Sequence, residues 1–367
     1  MQPTRLVIPD LVRAEFSSYF EPSSGPLARG TPGAASERAR TALFRNPWPH
    51  DALPTLAAVL RWKTGGKAAR PSGYRAQALP AVPTALAAFE AARGDADTRL
   101  FWIGHASFLL ELDGARFVVD PIFGRAGGLV PRVTPPAAQP SELKALSAVL
   151  VTHGHHDHLD PSSLKNLALA NGAETLFVVP RGLSVALPRE CTNVVELDWW
   201  EYVTIDGVRV HLVPAQHWHR RGMLDQNKSL WGGYVLEGTH RVYHSGDTGY
   251  FGGFSAVGKV FGGIDAACLP LGAYEPRWFM AAQHMSPEQS LQALLDLAGT
   301  HFFGMHWGAY DLSDEPVDAG PKLARKVAPG MGIDDERLHI VLPGGYIELR
   351  GERGRTQASE QHRFEPV

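Results

Sequence analysis

Cysteine is nearly absent from this chain of 367 residues, which contains only Cys191 and Cys268. The two residues are far apart in the sequence, and neither belongs to a Cys-x-x-Cys pair. This spacing argues against a disulfide framework and against a zinc site built from thiolates.

An excess of charge of one sign is also missing. The 35 Lys and Arg residues nearly balance the 38 Asp and Glu residues, which leaves a formal net charge of −3 at pH 7. The chain has no basic run that could follow a phosphate backbone, so the sequence argues against a nucleic-acid partner.

Long hydrophobic runs are absent as well. No segment approaches the roughly 18 apolar residues of a membrane-spanning helix. Residues 1–20 lack the charged start and apolar stretch of a signal peptide. Because 44% of the residues are nevertheless hydrophobic, the chain can bury a sizeable core. We therefore expect a soluble, cytoplasmic protein.

The composition changes along the chain and predicts three parts. Residues 1–98 are rich in Pro, Ala, Gly and Arg, and we expect an irregular or helical extension packed on the core, with 21–38 irregular. Residues 99–350 carry strand-like runs and form the main domain. Residues 351–367 are polar, which predicts a disordered tail.

The main domain reads as strand-rich. Asp113-Gly114 separates two strand-like runs and predicts a hairpin turn. One helix is well marked, with Ser286 as N-cap, Gln289 completing a capping box and Gly299 as the stop. Strands outnumber helices, which favours an α+β fold of stacked sheets with helices outside over a doubly wound parallel sheet.

The segment "VTHGHHDHLD" (151–160) concentrates four histidines and two aspartates after an apolar run. In an extended segment, alternate residues point the same way, so His153, His155 and Asp157 can converge on one point. Asp160 is interpreted as the N-cap of a following helix, and the bend there turns His158 toward a second point. The segment therefore predicts two metal ions a few ångströms apart.

Three further residues complete this candidate metal centre. His217, Asp247 and His306 each follow a predicted strand, and strand ends bring distant residues together at one edge of a sheet. The ligands are imidazoles and carboxylates without thiolates, which suits Zn²⁺ or another borderline divalent ion. Other histidines at strand ends are interpreted as ordinary: His105, His219, His244 and His301.

The pattern His-x-His-x-Asp-His, with later His, Asp and His, resembles the metallo-β-lactamase superfamily. Within it, the chain is most similar to the family of phospholipases D that hydrolyse N-acyl-phosphatidylethanolamine. The similar stretches span roughly residues 44–350 and include "FRNPWP" (44–49), "WIGHASFLLELDG" (102–114), "DPIF" (120–123), "ELDWWE" (196–201), "QHW" (216–218), "NKSLWGG" (227–233), "SGDTGY" (245–250), "GAYEPRWFM" (272–280), "QHMSPEQ" (283–289) and "HWG" (306–308). The resemblance implies an αβ/βα sandwich, in which two mixed β-sheets pack face to face with helices on the outside.

The resemblance also implies a role for each ligand. One zinc ion would be held by His153, His155 and His217, and a second by Asp157, His158 and His306. Asp247 would bridge the two ions, and Asp120 would orient a ligand histidine. The superfamily's oxygen-reducing di-iron members usually have Glu where this chain has His155, which argues for hydrolysis.

Further residues are implied for catalysis and substrate binding. His284 matches a histidine at the catalytic centre of the related family, where Asp157 and Asp247 also act. Substrate contacts are implied for His156, Gln283, Tyr274 and Trp278. His156 departs from the Tyr of the relatives, which leaves the exact lipid substrate open.

The implied function is a binuclear zinc phosphodiesterase of phospholipase D type. Metal-bound hydroxide would attack phosphorus in N-acyl-phosphatidylethanolamine, a related glycerophospholipid or a smaller phosphodiester. Implied partners are the phospholipid, a membrane surface contacted peripherally and a second copy of the chain in a homodimer. Two alternatives stay open: a zinc hydrolase of a lactone, ester or β-lactam, and a non-catalytic protein that binds metal or lipid.

Overall fold

The computed structural model describes residues 1–20, 43–50, 55–80, 82, 85–92, 96–351 and 357–365. The irregular segment predicted over 21–38 therefore lies outside the described residues. Within them, no helix is long and apolar enough to cross a membrane.

The described strands form two sheets of eight. The sheet that we call the N-terminal sheet has the order β16-β15-β2-β3-β4-β5-β6-β7 and comprises β2 (Thr98–Gly104), β3 (Ser107–Leu112), β4 (Ala115–Val119), β5 (Ala148–Leu150), β6 (Leu176–Pro180), β7 (Asn193–Leu197), β15 (Val341–Arg350) and β16 (Gln357–Arg363). Pairing is antiparallel from β16 to β4 and parallel from β4 to β7.

The second sheet, here the C-terminal sheet, repeats this arrangement. Its order is β1-β8-β9-β10-β11-β12-β13-β14, and it comprises β1 (Thr4–Arg5), β8 (Glu201–Ile205), β9 (Val208–Val213), β10 (Gly233–Glu237), β11 (Arg241–His244), β12 (Ile264–Pro270), β13 (Gly299–Met305) and β14 (Leu338–His339). Pairing is antiparallel up to β11 and parallel beyond it. The prediction of two mixed sheets is confirmed.

Helices cover the outer faces of the two sheets. The described helices are α1 (Asp10–Glu15), α2 (Leu56–Thr64), α3 (Ala85–Ala91), α4 (Pro161–Asn171), α5 (Gly253–Phe261), α6 (Arg277–Met280), α7 (Pro287–Asp296) and α8 (Ala319–Val327). Strand β2 shows that both faces of the N-terminal sheet carry apolar side chains that are buried. Leu100 and Trp102 pack in the core that joins the two sheets, whereas Phe101 and Ile103 pack in a second cluster with side chains of α3 and α4.

Most local signals that the sequence marked are present in the structure, but Gly299, predicted to stop α7, is the first residue of β13, and α7 ends at Asp296. Asp113 and Gly114 form the turn between β3 and β4, both with positive φ. The hydroxyl of Ser286 accepts the backbone N–H of Gln289 and completes the capping box of α7. The carboxylate of Asp160 caps α4 in the same way through Ser163.

The prediction of a disordered tail over 351–367 is wrong for residues 357–363, which form β16 at the edge of the N-terminal sheet. Their polar side chains have partners, which composition alone does not reveal. Glu360 accepts Nδ1 of His339 at 2.5 Å, and Arg363 pairs with Asp335 at 2.7 Å. Phe364 then packs its ring 4.9 Å from that of Trp307.

Candidate active site

The candidate site lies where strands of both sheets end. Loops that follow β5, β9, β11 and β13 carry all seven residues predicted as metal ligands, and the structure brings them together: His153, His155, Asp157, His158, His217, Asp247 and His306. Because a strand fixes the backbone just before each loop, residues far apart in sequence converge at this edge.

Three imidazoles form the first cluster. Nδ1 of His155 lies 3.0 Å from Nε2 of His153 and 3.0 Å from Nε2 of His217. Oδ2 of Asp247 lies 3.8 Å from the His153 nitrogen and 3.9 Å from the His217 nitrogen. The histidines predicted to share one cation therefore face a common point.

The second cluster lies on the other side of Asp247. Nε2 of His158 and Nε2 of His306 are 3.3 Å apart, and Oδ2 of Asp157 lies 3.9 Å from each. Oδ1 of Asp247 lies 3.2 Å from the His158 nitrogen and 3.0 Å from the His306 nitrogen. Asp247 thus turns one carboxylate oxygen toward each cluster, the arrangement expected of a bridging ligand.

Asp120 connects the two clusters through a buried hydrogen-bond network. Its Oδ2 accepts Nδ1 of His158 at 2.7 Å and the hydroxyl of Thr152 at 2.6 Å. The same hydroxyl accepts Nδ1 of His153 at 3.0 Å. The carboxylate therefore orients one imidazole from each cluster and assigns the ring proton to Nδ1 in both.

A backbone carbonyl does the same for His217, whose Nδ1 donates to Gln283 at 3.2 Å. When the rings of His153, His158 and His217 are neutral, these bonds leave their Nε2 atoms unprotonated and facing Asp247. Oδ1 of Asp247 is buried and has no hydrogen-bond partner among the described residues. Acceptor atoms that converge in this way repel one another unless a cation lies between them, so the donor set fits divalent metal ions.

The protonation equilibria agree with this charge distribution. Burial lowers the pKa of His153 well below its usual value and lowers the pKa of His155 to about 3. Burial acts in the same direction on His158, but the carboxylates of Asp247 and Asp120 raise its pKa well above the usual value. Without a cation, the His158 ring would therefore carry a positive charge beside these carboxylates, and a bound metal ion would take the place of that charge.

Three residues at the site have left-handed backbone conformations although none is glycine. The φ angles are 43° for Asp120, 59° for His105 and 62° for His306. Such conformations cost roughly 1–3 kcal/mol each and persist where surrounding contacts determine them. The strain is thus concentrated in the turns that aim these side chains at the centre.

His284 lies beside the clusters, in the turn between α6 and α7. Its Nδ1 is 3.9 Å from Oδ2 of Asp247 and, within the part of the chain that the structure describes, has no hydrogen-bond partner, although the atom is buried. Burial lowers the pKa of His284 to about 4, so the ring is neutral at pH 7. A neutral imidazole can donate a hydrogen bond from one nitrogen and accept one at the other.

A cavity of about 620 Å³ opens over the two clusters, and two of the four predicted substrate contacts line it. His156 and Gln283 lie on its wall, together with His284. Trp62, Phe279, Met280, Met223 and Leu312 form its apolar part, and Arg220 and Arg221 its basic part.

Tyr274 and Trp278 are not among the described residues that line this cavity. The carboxylate of Glu315 accepts the backbone N–H of Tyr274 at 3.3 Å, and the Tyr274 side chain is buried. The indole of Trp278 turns toward the carbonyl of Gly66, at 3.0 Å. These contacts do not test a role in substrate binding, so the expected substrate contacts of both residues stay a prediction.

Two residues of the site escaped the sequence interpretation. His105, taken as ordinary, has its Nε2 3.2 Å from Oδ2 of Asp157. Its position at the end of β2 was the available signal, because the other candidates share that placement. Trp62 reaches the cavity from α2 in the extension, and no periodic pattern in the sequence marks it.

Comparison with known proteins gives a family match. The chain matches the family described as beta-lactamase superfamily domain over residues 115–307. It is 36% identical over 289 residues to an uncharacterized protein of Mycobacterium tuberculosis, with 74% of each chain covered.

Two relatives carry a functional name. The chain is 32% identical over 228 residues to N-acyl-phosphatidylethanolamine-hydrolyzing phospholipase D 1 of Caenorhabditis elegans, which covers 58% of this chain and 64% of that protein. It is 35% identical over 228 residues to the mitochondrial N-acyl-phosphatidylethanolamine-hydrolyzing phospholipase D of Saccharomyces cerevisiae, which covers 58% of this chain and 48% of that protein.

Solved structures support the fold. A metallo hydrolase of Ignicoccus hospitalis superposes with a TM-score of 0.52 at 21% identity and covers 70% of this chain and 99% of its own. The isothiocyanate hydrolase from Delia radicum gut bacteria gives a TM-score of 0.53 at 19% identity and covers 68% of this chain and 98% of its own. At these identities the likeness concerns the fold alone.

The close packing around Gly154 generates a prediction for the ligand loop. A Cβ at this position would lie 2.2 Å from Cε1 of His219 and 2.8 Å from Cδ1 of Leu183, and both neighbours are buried. We expect Gly154→Ala to lower the free energy of unfolding by about 1–3 kcal/mol through overpacking. Chemical denaturation measures the change.

Gly124→Ala is the matched control, because a Cβ there meets no atom within 4 Å. It should leave stability near that of the parent. Equal stability of the two variants would show that the ligand loop tolerates a side chain at position 154 and would contradict the packing described.

Proposed function

The chain belongs to the metallo-β-lactamase superfamily of metal-dependent hydrolases, and we propose that it is a binuclear zinc phosphodiesterase of phospholipase D type. Its proposed substrate is N-acyl-phosphatidylethanolamine or a related glycerophospholipid. One observation carries the proposal: two convergent ligand clusters lie at the floor of a cavity that is apolar on one part and basic on another. The two relatives named as phospholipases D support the substrate class.

The seven ligands would hold the ions in the two clusters described, with Asp247 between them. Bound divalent cations supply positive charge for a phosphate group and a water molecule whose pKa is lowered to about 7. Asp247 also lines the cavity, where its carboxylate would accept a hydrogen bond from the attacking water.

His284 would act beside the reacting phosphate. Its ring lines the cavity, and its centroid is 5.4 Å from that of His217. Since the imidazole is neutral and no described residue hydrogen-bonds to Nδ1, it can orient the phosphate through a hydrogen bond or relay a proton to the leaving alkoxide.

The apolar part of the cavity suits a hydrocarbon chain. Trp62 of α2 stacks on Phe279 of α6 at 4.9 Å, and Met280 packs against both. Trp62 is anchored by a 2.9 Å hydrogen bond from its indole to Asp314. The N-terminal extension thus completes the wall that would receive the acyl chains of a phospholipid.

We also propose that the mouth of the cavity contacts a membrane peripherally. Met223 and Leu224, at the tip of the loop after β9, are 88% and 84% exposed. Arg220 and Arg221 precede them in the same loop and line the cavity. Exposed apolar side chains beside basic ones are suited to a lipid surface with anionic headgroups.

The reaction is tested by product analysis on His284→Ala. With the parent and zinc, mass spectrometry should show phosphatidate and N-acylethanolamine from N-acyl-phosphatidylethanolamine. Loss of the imidazole should lower turnover roughly 10²- to 10⁴-fold. Zinc content should stay at the parent level, because His284 is not among the seven proposed ligands.

His362→Ala, at an exposed histidine of β16, serves as the control and should keep parent activity. Absence of phosphatidate from the zinc-loaded parent would overturn the proposal, and cleavage of lactones or esters alone would favour another hydrolase. Loss of zinc from His284→Ala would reassign this histidine to the metal centre.

The membrane contact is tested with vesicles that contain anionic phospholipid. The double variant Met223→Ser, Leu224→Ser removes apolar area from the loop tip and should weaken vesicle binding roughly tenfold or more. Sedimentation with vesicles measures the bound fraction. Hydrolysis of soluble bis-p-nitrophenyl phosphate is followed in Leu224→Ser alone and should change little, because Leu224 is not among the described residues that line the cavity.

Leu169→Ser is the matched control, because Leu169 is 65% exposed on α4 rather than in this loop. Equal binding of the control and the double variant would refute the proposed contact.

A further inference from the structure

His105 occupies the tight turn between β2 and β3, and the turn aims its side chain at the metal centre. The residue adopts a φ of 59° and is 2% exposed. A left-handed residue in a hairpin turn is usually Gly, Asn or Asp. A buried histidine held in this conformation therefore points to a task for its side chain.

Three contacts join His105 to the second cluster. Its Nε2 lies 3.2 Å from Oδ2 of Asp157. Its ring centroid lies 3.9 Å from that of His306, and its backbone carbonyl accepts the N–H of His306 at 3.0 Å. One residue thus contacts two of the three side chains that belong only to the second cluster.

Two neighbouring aromatic residues, Trp102 and Tyr310, restrain His105. The indole of Trp102 donates to the His105 carbonyl at 2.8 Å. The ring of Tyr310 meets the imidazole edge-on with centroids 5.1 Å apart, and its hydroxyl donates to the carbonyl of Gly124 at 2.7 Å. These contacts leave the imidazole little freedom to turn away from Asp157.

We propose that His105 is a positioning residue for the second metal ion, which it serves by donating its Nε2–H to Oδ2 of Asp157. This role rests on the proposed metal centre. A carboxylate oxygen has two lone pairs, so Oδ2 can accept the His105 proton with one and face the ion with the other. Oδ2 lies 3.9 Å from the Nε2 atoms of both His158 and His306, which is consistent with this division.

The competing role is direct ligation, since a nitrogen of His105 lies within 4.8 Å of ligand atoms of Asp157, His158 and His306. The two roles use Nε2 differently. An Nε2 that carries a proton for Asp157 has no lone pair for a metal ion. Substitutions that keep or remove a donor at this point therefore separate the roles.

Three variants of the full chain make the test: His105→Gln, His105→Asn and His105→Leu. The amide nitrogen of Gln lies about as far from the backbone as Nε2 of His, whereas the amide nitrogen of Asn lies closer to the backbone. Asn tolerates a positive φ better than Gln does. Zinc affinity of the second site is measured by competition with a chromophoric chelator. The absorption spectrum of the cobalt-substituted protein reports ligand number.

We expect Gln to keep an affinity near that of the parent, and Asn and Leu to lose roughly 10- to 100-fold. Cobalt spectra of parent and Gln variant should agree. Thermal denaturation checks folding, and if Leu does not fold, the comparison of Gln with Asn still decides.

Parent-like affinity of Asn with weak binding by Gln would show that only the backbone turn matters and would overturn the role. Loss of one ion from Gln, with an altered cobalt spectrum, would make His105 a ligand instead. Equal affinity of all variants would also refute the proposal. A parent that binds fewer than two ions would remove the proposed centre itself, which is a separate failure.

Discussion

The buried carboxylate of Asp120 is the constraint on which the site depends. Its carboxylate accepts a hydrogen bond from His158 directly and is linked to His153 through the hydroxyl of Thr152. These bonds place the Nδ1 proton of both rings on the side away from the centre. The unprotonated nitrogens that remain must then face Asp247, an arrangement that is favourable only around cations. The hydrogen-bond network outside the clusters thus orients the nitrogen atoms so that cations between them would be favourable.

The fold supplies the precision that this network needs. Each sheet has an antiparallel half and a parallel half, and the ligand loops leave the ends of strands that both faces of the sandwich hold in place. Left-handed turns at Asp120 and His306 then aim side chains that a regular strand would direct elsewhere. The core stabilises the chain while this strain is stored locally at the site.

The seven candidate ligands could be predicted from the sequence because their signals are short-range. Alternation places His153, His155 and Asp157 on one side of an extended segment, and apolar runs mark the strands that precede His217 and His306. His105 could not be recognised in this way, because its role depends on a turn whose φ no periodicity encodes. The polar segment 357–363 was predicted to be disordered for a related reason. Its partners His339 and Asp335 lie outside the segment, so no pattern within the segment reveals them and only the fold brings them together.

The central claim is that the converging nitrogens and carboxylates surround two cations. Anomalous diffraction at the zinc absorption edge, from crystals of the zinc-loaded protein, tests it most directly. The account predicts two anomalous peaks about 3.5–4 Å apart, one among His153, His155 and His217 and the other beside His158 and His306, with Asp247 between them. A single peak, or peaks away from these side chains, would contradict it.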